Sequence, residues 1–437
     1  MKRQTFLRFC ALTALLCMQA YILVAADVYS LSVAKQPRMT IKTGASGHKN
    51  TFVINNYGTI VQNNCHYKAT MNGKVVDERT VTFSTPLHPN RDATLTLNIP
   101  AQSRAGDYEL TLEITQINGK PNESPGRIAK LPITAVNKLP TCRVVFEDYT
   151  ANWCSWCPSG IAIMRQMTKK HPNDFIGIVA HHKDVMVATG YDVPATPHSG
   201  VPIVWASRTN KVEGFTGEPY YQMAKQRGAM MDIDVQAQWN ANGKSINVQS
   251  TTTFRGSSRN VRYALAYVLL EDRIQRNDWA QGNGYSGSNK YLGLNSELDY
   301  FIKSPNPIKN FVFEDVVRSH IGIANGLDAS LPQSVVADKP IVHKSAFNGI
   351  GDWVTVFNKN NLRVVVMVID RETACIVNAA RCVVKAKPST DITPVTTTKE
   401  RVEVARFNLK GQRISTPEPG INIVKYSDGS VEKVSVR

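Results

Sequence analysis

The chemistry in this chain concentrates where Cys154 and Cys157 stand three positions apart, in Trp153-Cys154-Ser155-Trp156-Cys157-Pro158. Two thiols at that spacing exchange disulfides when the first opens a helix, because the unpaired amides and dipole of a helix N-terminus favour its thiolate. Cys154 is therefore the candidate nucleophile. Cys157, about one helical turn on, is the candidate resolving thiol, which frees a trapped mixed disulfide by attacking back. The pair has two other readings: an inert structural disulfide, or half of a metal site. A zinc site would need two more ligands. The nearby His181 and His182 are adjacent on an expected strand, so they point to opposite faces. No metal and no other cofactor is expected.

Three elements must position the pair. Val144-Val145-Phe146 reads as a strand before it, and Ile161 to Lys170 as a helix after it, with Ile161, Met164 and Met167 on one face. Asp148 shares a strand face with Val144 and Phe146. Buried there, its carboxylate would take a proton from Cys157; the alternative is a paired structural acid. Val201-Pro202 precedes a further strand, Ile203-Val204-Trp205, and is expected as a cis peptide that holds backbone groups ready for a substrate chain. Trp153, Trp156 and Val201 are the expected substrate contacts.

Around this centre the chain divides by pattern. Residues 1–26 have a basic start, an apolar stretch from Phe9 to Ala20 and small residues Ala25-Ala26, the three parts of a cleaved secretory signal. Residues 27–138 alternate as short strands with Asn72-Gly73 and Asn118-Gly119 hairpin turns, which predicts an immunoglobulin-like β-sandwich. Residues 139–228 alternate strand and helix as an α/β core. Residues 229–388 return to strands, a second β-sandwich, with Asp278 to Gln333 expected as long loops. Residues 389–403 are a Thr/Pro-rich linker, and 404–437 a small β module. The expected fold class is multidomain α+β.

Glu147-Asp148-Tyr149-Thr150-Ala151-Asn152-Trp153-Cys154 followed by Cys157 resembles the active-site segment of the thioredoxin superfamily. That resemblance implies a reduced thioredoxin-like core over 139–228 without the leading βα unit, Asp148 as its buried acid and Val201-Pro202 as its cis-proline position. Ser155-Trp156 departs from the superfamily's Gly-Pro. The order of sandwich, core and sandwich is similar to the Omp-twenty-eight-type outer-membrane proteins of Bacteroidota, as are Thr150 ahead of Trp153-Cys154 and the run from Tyr263 to Glu271. The C-terminal Phe407 to Arg413, Pro419 to Val424 and Lys433 to Arg437 resemble the sorting signal of type IX secretion cargo. Together these resemblances imply export to the outer membrane or cell surface, with the type IX machinery, the cell envelope and protein thiols or disulfides as partners. Thiol–disulfide exchange is the expected activity. A surface binding or adhesion protein that keeps the fold as scaffold is the rival.

Composition narrows the field. The chain has 437 residues with 42% hydrophobic and 20% charged, so it is neither disordered nor collagen-like. After Ala26 no apolar run reaches the length of a membrane helix. The formal charge of +16 invites a nucleic-acid partner, but no segment gathers it into a stripe that would neutralise phosphates, so none is expected. No Ser/His/Asp spacing argues for a triad, and no Gly-rich loop follows a strand to cradle phosphate. Beyond the pair, Cys65, Cys142, Cys375 and Cys382 remain after loss of the signal, with no pairing assigned.

Overall fold

The computed structural model describes residues 28–191, 200–350, 356–386, 402–427 and 430–436. The signal segment and nearly all of the linker lie outside the described residues. The chain divides into two compact units on either side of Lys387 and Pro388.

In the first unit the chain begins with β1 (Leu31–Val33), β2 (Met39–Lys42), β3 (Lys49–Asn56), β4 (Gln62–Met71), β5 (Lys74–Leu87), β6 (Asp92–Asn98), β7 (Gly106–Ile117), β8 (Lys120–Pro121) and β9 (Ile128–Val136). One sheet has the order β1-β3-β6 and another β2-β9-β7-β4-β5, with β8 beside β7. Alternation decides the faces. β4 buries Cys65, Tyr67, Ala69 and Met71, while β7 buries Leu110, Leu112 and Ile114. With Phe52, Ile54, Leu95 and Leu97 from the smaller sheet, these make one continuous core. Asn72-Gly73 and Asn118-Gly119 all have positive φ, the geometry that a two-residue hairpin with right-handed strand twist demands.

Next come β10 (Val144–Thr150), α1 (Pro158–Lys170), β11 (Phe175–His181), β12 (Ile203–Ala206), β13 (Asn210–Lys211) and α2 (Glu218–Arg227). They are followed by β14 (Met231–Trp239), β15 (Ile246–Phe254), β16 (Tyr263–Glu271), β17 (Ala280–Gln281), α3 (Ser296–Lys303), β18 (Ile308–Lys309), β19 (Val316–Ile321), β20 (Pro340–Phe347), β21 (Leu362–Asp370) and β22 (Ile376–Lys385). One 11-stranded sheet runs through both stretches in the order β13-β12-β10-β11-β19-β16-β21-β22-β14-β15-β20. β10 and β11 are parallel along their whole length and β12 is antiparallel to β10. β19 joins the stretches, parallel to β11 and antiparallel to β16.

Every residue of β10, β11 and β16 is buried, so these strands are covered on both faces, as near-continuous apolar runs require. One face of β10 and β11 packs Val144, Phe146 and Phe175 on Met164 and Met167 of α1 and Tyr221 of α2. The opposite face puts Val145, Tyr149, Ile176 and Ile178 in a core shared with Val268, Val317, Val365 and Met367. That shared core ties the α/β strands to the later strands of the same sheet.

The stretch expected as long loops, Asp278 to Gln333, contains α3 and β19. α3 is only eight residues long, too short for a period to stand out, yet it buries Leu298, Phe301 and Ile302 and is capped by Asn295, whose Oδ1 accepts from the Glu297 amide. β19 reads Val-Val-Arg-Ser-His-Ile, with an apolar pair too brief to signal a strand alone.

In the second unit β23 (Glu403–Phe407), β24 (Arg413–Ile414), β25 (Gly420–Tyr426) and β26 (Val431–Val436) form one antiparallel sheet in the order β24-β23-β25-β26. Val424 and Asn422 are the side chains it buries among the described residues. The whole is a multidomain, β-rich α+β fold. Among the described residues no helix is long and apolar enough to cross a membrane.

Candidate functional site

β10 ends at Thr150, and Ala151 to Cys157 turn the chain into α1. Pro158 occupies the first turn of α1, where a missing amide costs nothing and its fixed φ suits the helix. Cys157 is the cap residue, with no side-chain cap; the Ser159 amide turns back to the Trp156 carbonyl at 3.3 Å and the Ile161 amide donates to the Cys157 carbonyl at 3.2 Å. Cys154 and Cys157 are joined as a disulfide with Cα atoms 5.4 Å apart. Cys157 is fully buried and Cys154 is 5% exposed, so an incoming thiol meets Cys154 first. Ala151 and the edge of Val201 complete the apolar wall around the two sulfurs.

Asp148 lies beneath this turn. A Cβ on Gly160 would stand 2.6 Å from its Oδ1, so only glycine in the first turn of α1 leaves room for the carboxyl. Neither oxygen has a hydrogen-bond partner among the described residues. Burial without a compensating charge pushes the carboxyl up to about 8. It can thus give or take a proton near neutral pH, packed against Gly160, which stands three residues on from Cys157.

Val201-Pro202 is a cis peptide, and the Val201 carbonyl oxygen is 3.7 Å from the Cys154 sulfur. Trp153 and Trp156 flank the disulfide at 57% and 53% exposed. Trp153 donates from its indole to the Lys183 carbonyl at 3.1 Å. Trp156 stands edge-on to Tyr285, with ring centroids 5.2 Å apart. The sequence-derived set Asp148, Trp153, Cys154, Trp156, Cys157, Val201 and Pro202 therefore falls at one place.

The sequence placed His181 near the pair but gave it no partner, and it did not single out Asp184. His181, at the end of β11, pairs with Asp184 at 2.6 Å, both side chains buried. The Asp184 carboxylate also accepts from the amides of Asn152 and Met186, each at 2.8 Å. Burial alone would raise its pKa; the His181 contact and the two amides outweigh it and hold the carboxyl below its usual range. Asp184 thus pins the start of the cysteine turn, and its bond two residues ahead is the one local signal it carried. His182 is exposed, so the two histidines part as adjacent strand-end residues do.

A second contribution comes from β17 and the glycines after it. Gly282 donates to the Asn152 carbonyl at 2.7 Å and Gly284 to the Ser155 carbonyl at 2.6 Å. Gln281 is fully buried and its amide reaches the carbonyls of Ala151 and Cys154 at 3.3 and 3.2 Å. This stretch reads as loop in the sequence; two glycines on either side of one residue are the pattern that permits so close a backbone approach, but they do not say to what. Among the described residues no group of three or more His, Cys, Asp or Glu side chains is placed to hold a metal ion.

On the other side of α1 a cavity of about 550 Å³ runs from Thr150 and His181 to Arg363 and Asp315. Its charges are largely paired with one another, Lys169 with Glu297 and Arg363 with both Asp272 and Asp315.

No family model matches the chain, and no curated protein does. Among solved structures it is similar to HBP35 of Porphyromonas gingivalis, at 15% identity and TM-score 0.39 over 68% of this chain and 98% of that one. A domain of the outer membrane lipoprotein Omp28 from Porphyromonas gingivalis matches at 12% identity and TM-score 0.20, over 37% of this chain and 92% of that one. A CARDB domain from Pyrococcus furiosus matches at 18% identity and TM-score 0.21, over 25% and 94%. No family membership follows from these likenesses.

Proposed function

We propose that this is an exported, envelope-associated protein whose thioredoxin-like core exchanges disulfides with protein substrates through Cys154 and Cys157. The observation that carries the reading is the buried, unpartnered Asp148 carboxyl beneath the first turn of α1, beside a disulfide whose outer sulfur faces a cis Val201-Pro202. A buried carboxyl without a partner costs stability, so its placement speaks for chemistry.

In the oxidising direction a substrate thiolate attacks the Cys154 sulfur. The Cys154–Cys157 bond breaks, and the leaving Cys157 thiolate takes the proton held by Asp148. A second substrate thiolate then attacks the substrate sulfur of the mixed disulfide, and Cys154 leaves as thiolate. The reducing direction is the same path reversed: Cys154 thiolate attacks a substrate disulfide, and Cys157 gives its proton to ionised Asp148 and displaces the substrate thiolate from Cys154. Trp153 and Trp156 offer exposed apolar surface to the substrate chain, and Val201 its backbone.

Export rests on the signal-like segment 1–26. Surface attachment through the type IX machinery rests on the residues of 404–437, a compact β unit apart from the rest. Deleting 404–437 is expected to leave the protein in the periplasm; unchanged surface exposure would sink that part of the reading. The exchange activity is tested by insulin disulfide reduction with the mature protein and with Cys154→Ser. The wild type accelerates the reaction and the variant stays at background. Equal background rates, with a Cys154–Cys157 bond that mild reductant does not open, would leave the binding or adhesion reading in its place.

A further inference from the structure

We infer that Gln281 is a positioning residue for the cysteine pair, acting on the Cys154 thiolate through the carbonyls of Ala151 and Cys154. The inference rests on the exchange reading above and adds a residue from a distant part of the chain to that site.

The local turn leaves these carbonyls weakly satisfied. The Ala151 oxygen accepts from the Cys154 amide at 3.2 Å, and the Cys154 oxygen from the Cys157 amide at 3.4 Å, both long. The Gln281 side-chain amide is a second donor to the same two oxygens, and it also reaches the Gly282 carbonyl at 3.1 Å. Both carbonyls belong to the turn that carries Cys154, one of them on Cys154 itself, so their dipoles are part of the field its sulfur meets when it is reduced. A buried donor that draws on them lowers their repulsion of the thiolate, and low local polarity strengthens the effect.

The donor is held rigidly. β17, which carries Gln281, pairs with β18. Asn283 donates from its side chain to the Phe301 carbonyl at 2.8 Å, while its backbone amide donates to Asn306 Oδ1 at 2.9 Å. A Cβ on Gly282 would come within 3.0 Å of the Trp153 oxygen, and one on Gly284 within 3.1 Å of the Ser155 oxygen. This close approach is what lets Gln281 reach the turn. Gln281 Oε1 is buried with no partner among the described residues, a cost that argues against a purely stabilising role.

The test equilibrates the mature protein with mixtures of reduced and oxidised glutathione and reads the fraction of Cys154–Cys157 disulfide. The pH profile of Cys154 alkylation is followed in a Cys157→Ser background. Gln281→Met removes the donor at nearly constant volume. It is expected to shift the glutathione equilibrium roughly 3- to 10-fold toward the disulfide, tenfold being about 30 mV, and to move the alkylation midpoint up. Gln281→Glu, which brings a carboxyl to the same carbonyls, is expected to shift at least as far in the same direction. Gln281→Asn, which withdraws the amide by one methylene, gives the same reading if the methionine variant does not fold.

No shift in either readout overturns the inference. So does a shift toward the dithiol, because a merely slackened turn holds its two sulfurs together less well. If the wild-type disulfide opens in no glutathione mixture, the exchange reading itself fails. If it opens and the variants titrate alongside it, only the role of Gln281 fails.

Discussion

Adjacent residues of β10 carry two fully buried carboxyls on its opposite faces, and they live in contrasting surroundings. Glu147 is gripped by Arg208, whose Nε and Nη2 donate to its two oxygens at 2.8 and 2.7 Å, and by the Tyr191 hydroxyl at 2.9 Å. Asp148, one residue on, has no partner among the described residues and sits against the glycine of a helix. Burial would lower the Arg208 pKa, but the Glu147 charge outweighs it and holds the guanidinium ionised. The Glu147 side is therefore a closed ion pair, whereas burial keeps Asp148 protonated to near pH 8. The same chemical group is held in an ion pair on one face and kept protonated on the other, and the neighbours decide which.

The largest effect expected from breaking this contrast is on the paired side. Glu147→Gln leaves the Arg208 cation buried without its counter-charge, and urea unfolding should show a loss of about 3–5 kcal/mol. A smaller loss would mean that solvent reaches the pair. On the unpaired side, Asp148→Asn should slow the step that opens or closes the Cys154–Cys157 bond by about 100-fold near neutral pH, read by stopped-flow tryptophan fluorescence. Stability should move the other way. The native state keeps a proton on Asp148 that the unfolded chain releases, so wild-type stability falls between about pH 4 and pH 8 by up to about 1.4 kcal/mol per unit, then levels off. Asp148→Asn should remove that slope. Parallel wild-type and variant stabilities at pH 5, 7 and 9 would show the carboxyl to be ionised in the native state.

Gly160→Ala sharpens the comparison from the helix side. Alanine is the better helix former by about 1 kcal/mol, yet its methyl would press on the Asp148 carboxyl, and a net loss of about 1–3 kcal/mol is expected. In an Asp148→Ala background the penalty should vanish, which a double-mutant cycle measures. The smallest effect belongs to Tyr191→Phe. It removes one of three donors to Glu147 and should cost about 0.5–1.5 kcal/mol with no change in disulfide exchange.

The other cysteines make a parallel point. Cys65, Cys142, Cys375 and Cys382 are unbonded. Burial pushes Cys65, Cys142 and Cys382 up to about 11, so these three stay as inert thiols at neutral pH. Lys225 and other basic side chains pull Cys142 the other way, and backbone contacts with Ala237 and Val364 together with Lys385 do so for Cys382, but none overcomes burial.

Much of the site was legible because its parts lie close along the chain. The spacing of Cys154 and Cys157 against a helix start, and the alternation that puts Asp148 beside Phe146, are local facts. What escaped notice was remote. Gln281 meets Cys154 across 127 residues, Arg208 meets Glu147 across 61 and Asp315 meets Arg363 across 48. Asp184 was near enough to find, but a lone Asp after a strand is too common a turn residue to single out.

The sequence by itself determined the local elements: hairpins at Asn-Gly, strands by alternation, a helix after the cysteine pair, and the pair's spacing. Period, turn chemistry and proline act over a few bonds, so they are written in the residues themselves. Only the tertiary structure decided that β19 joins β11 to β16 in one 11-stranded sheet, that a glutamine followed by glycine covers the cysteine turn, and that Glu147 is paired while Asp148 has no partner among the described residues. Those outcomes depend on which surfaces meet once the apolar faces are buried, and chain neighbours do not encode that.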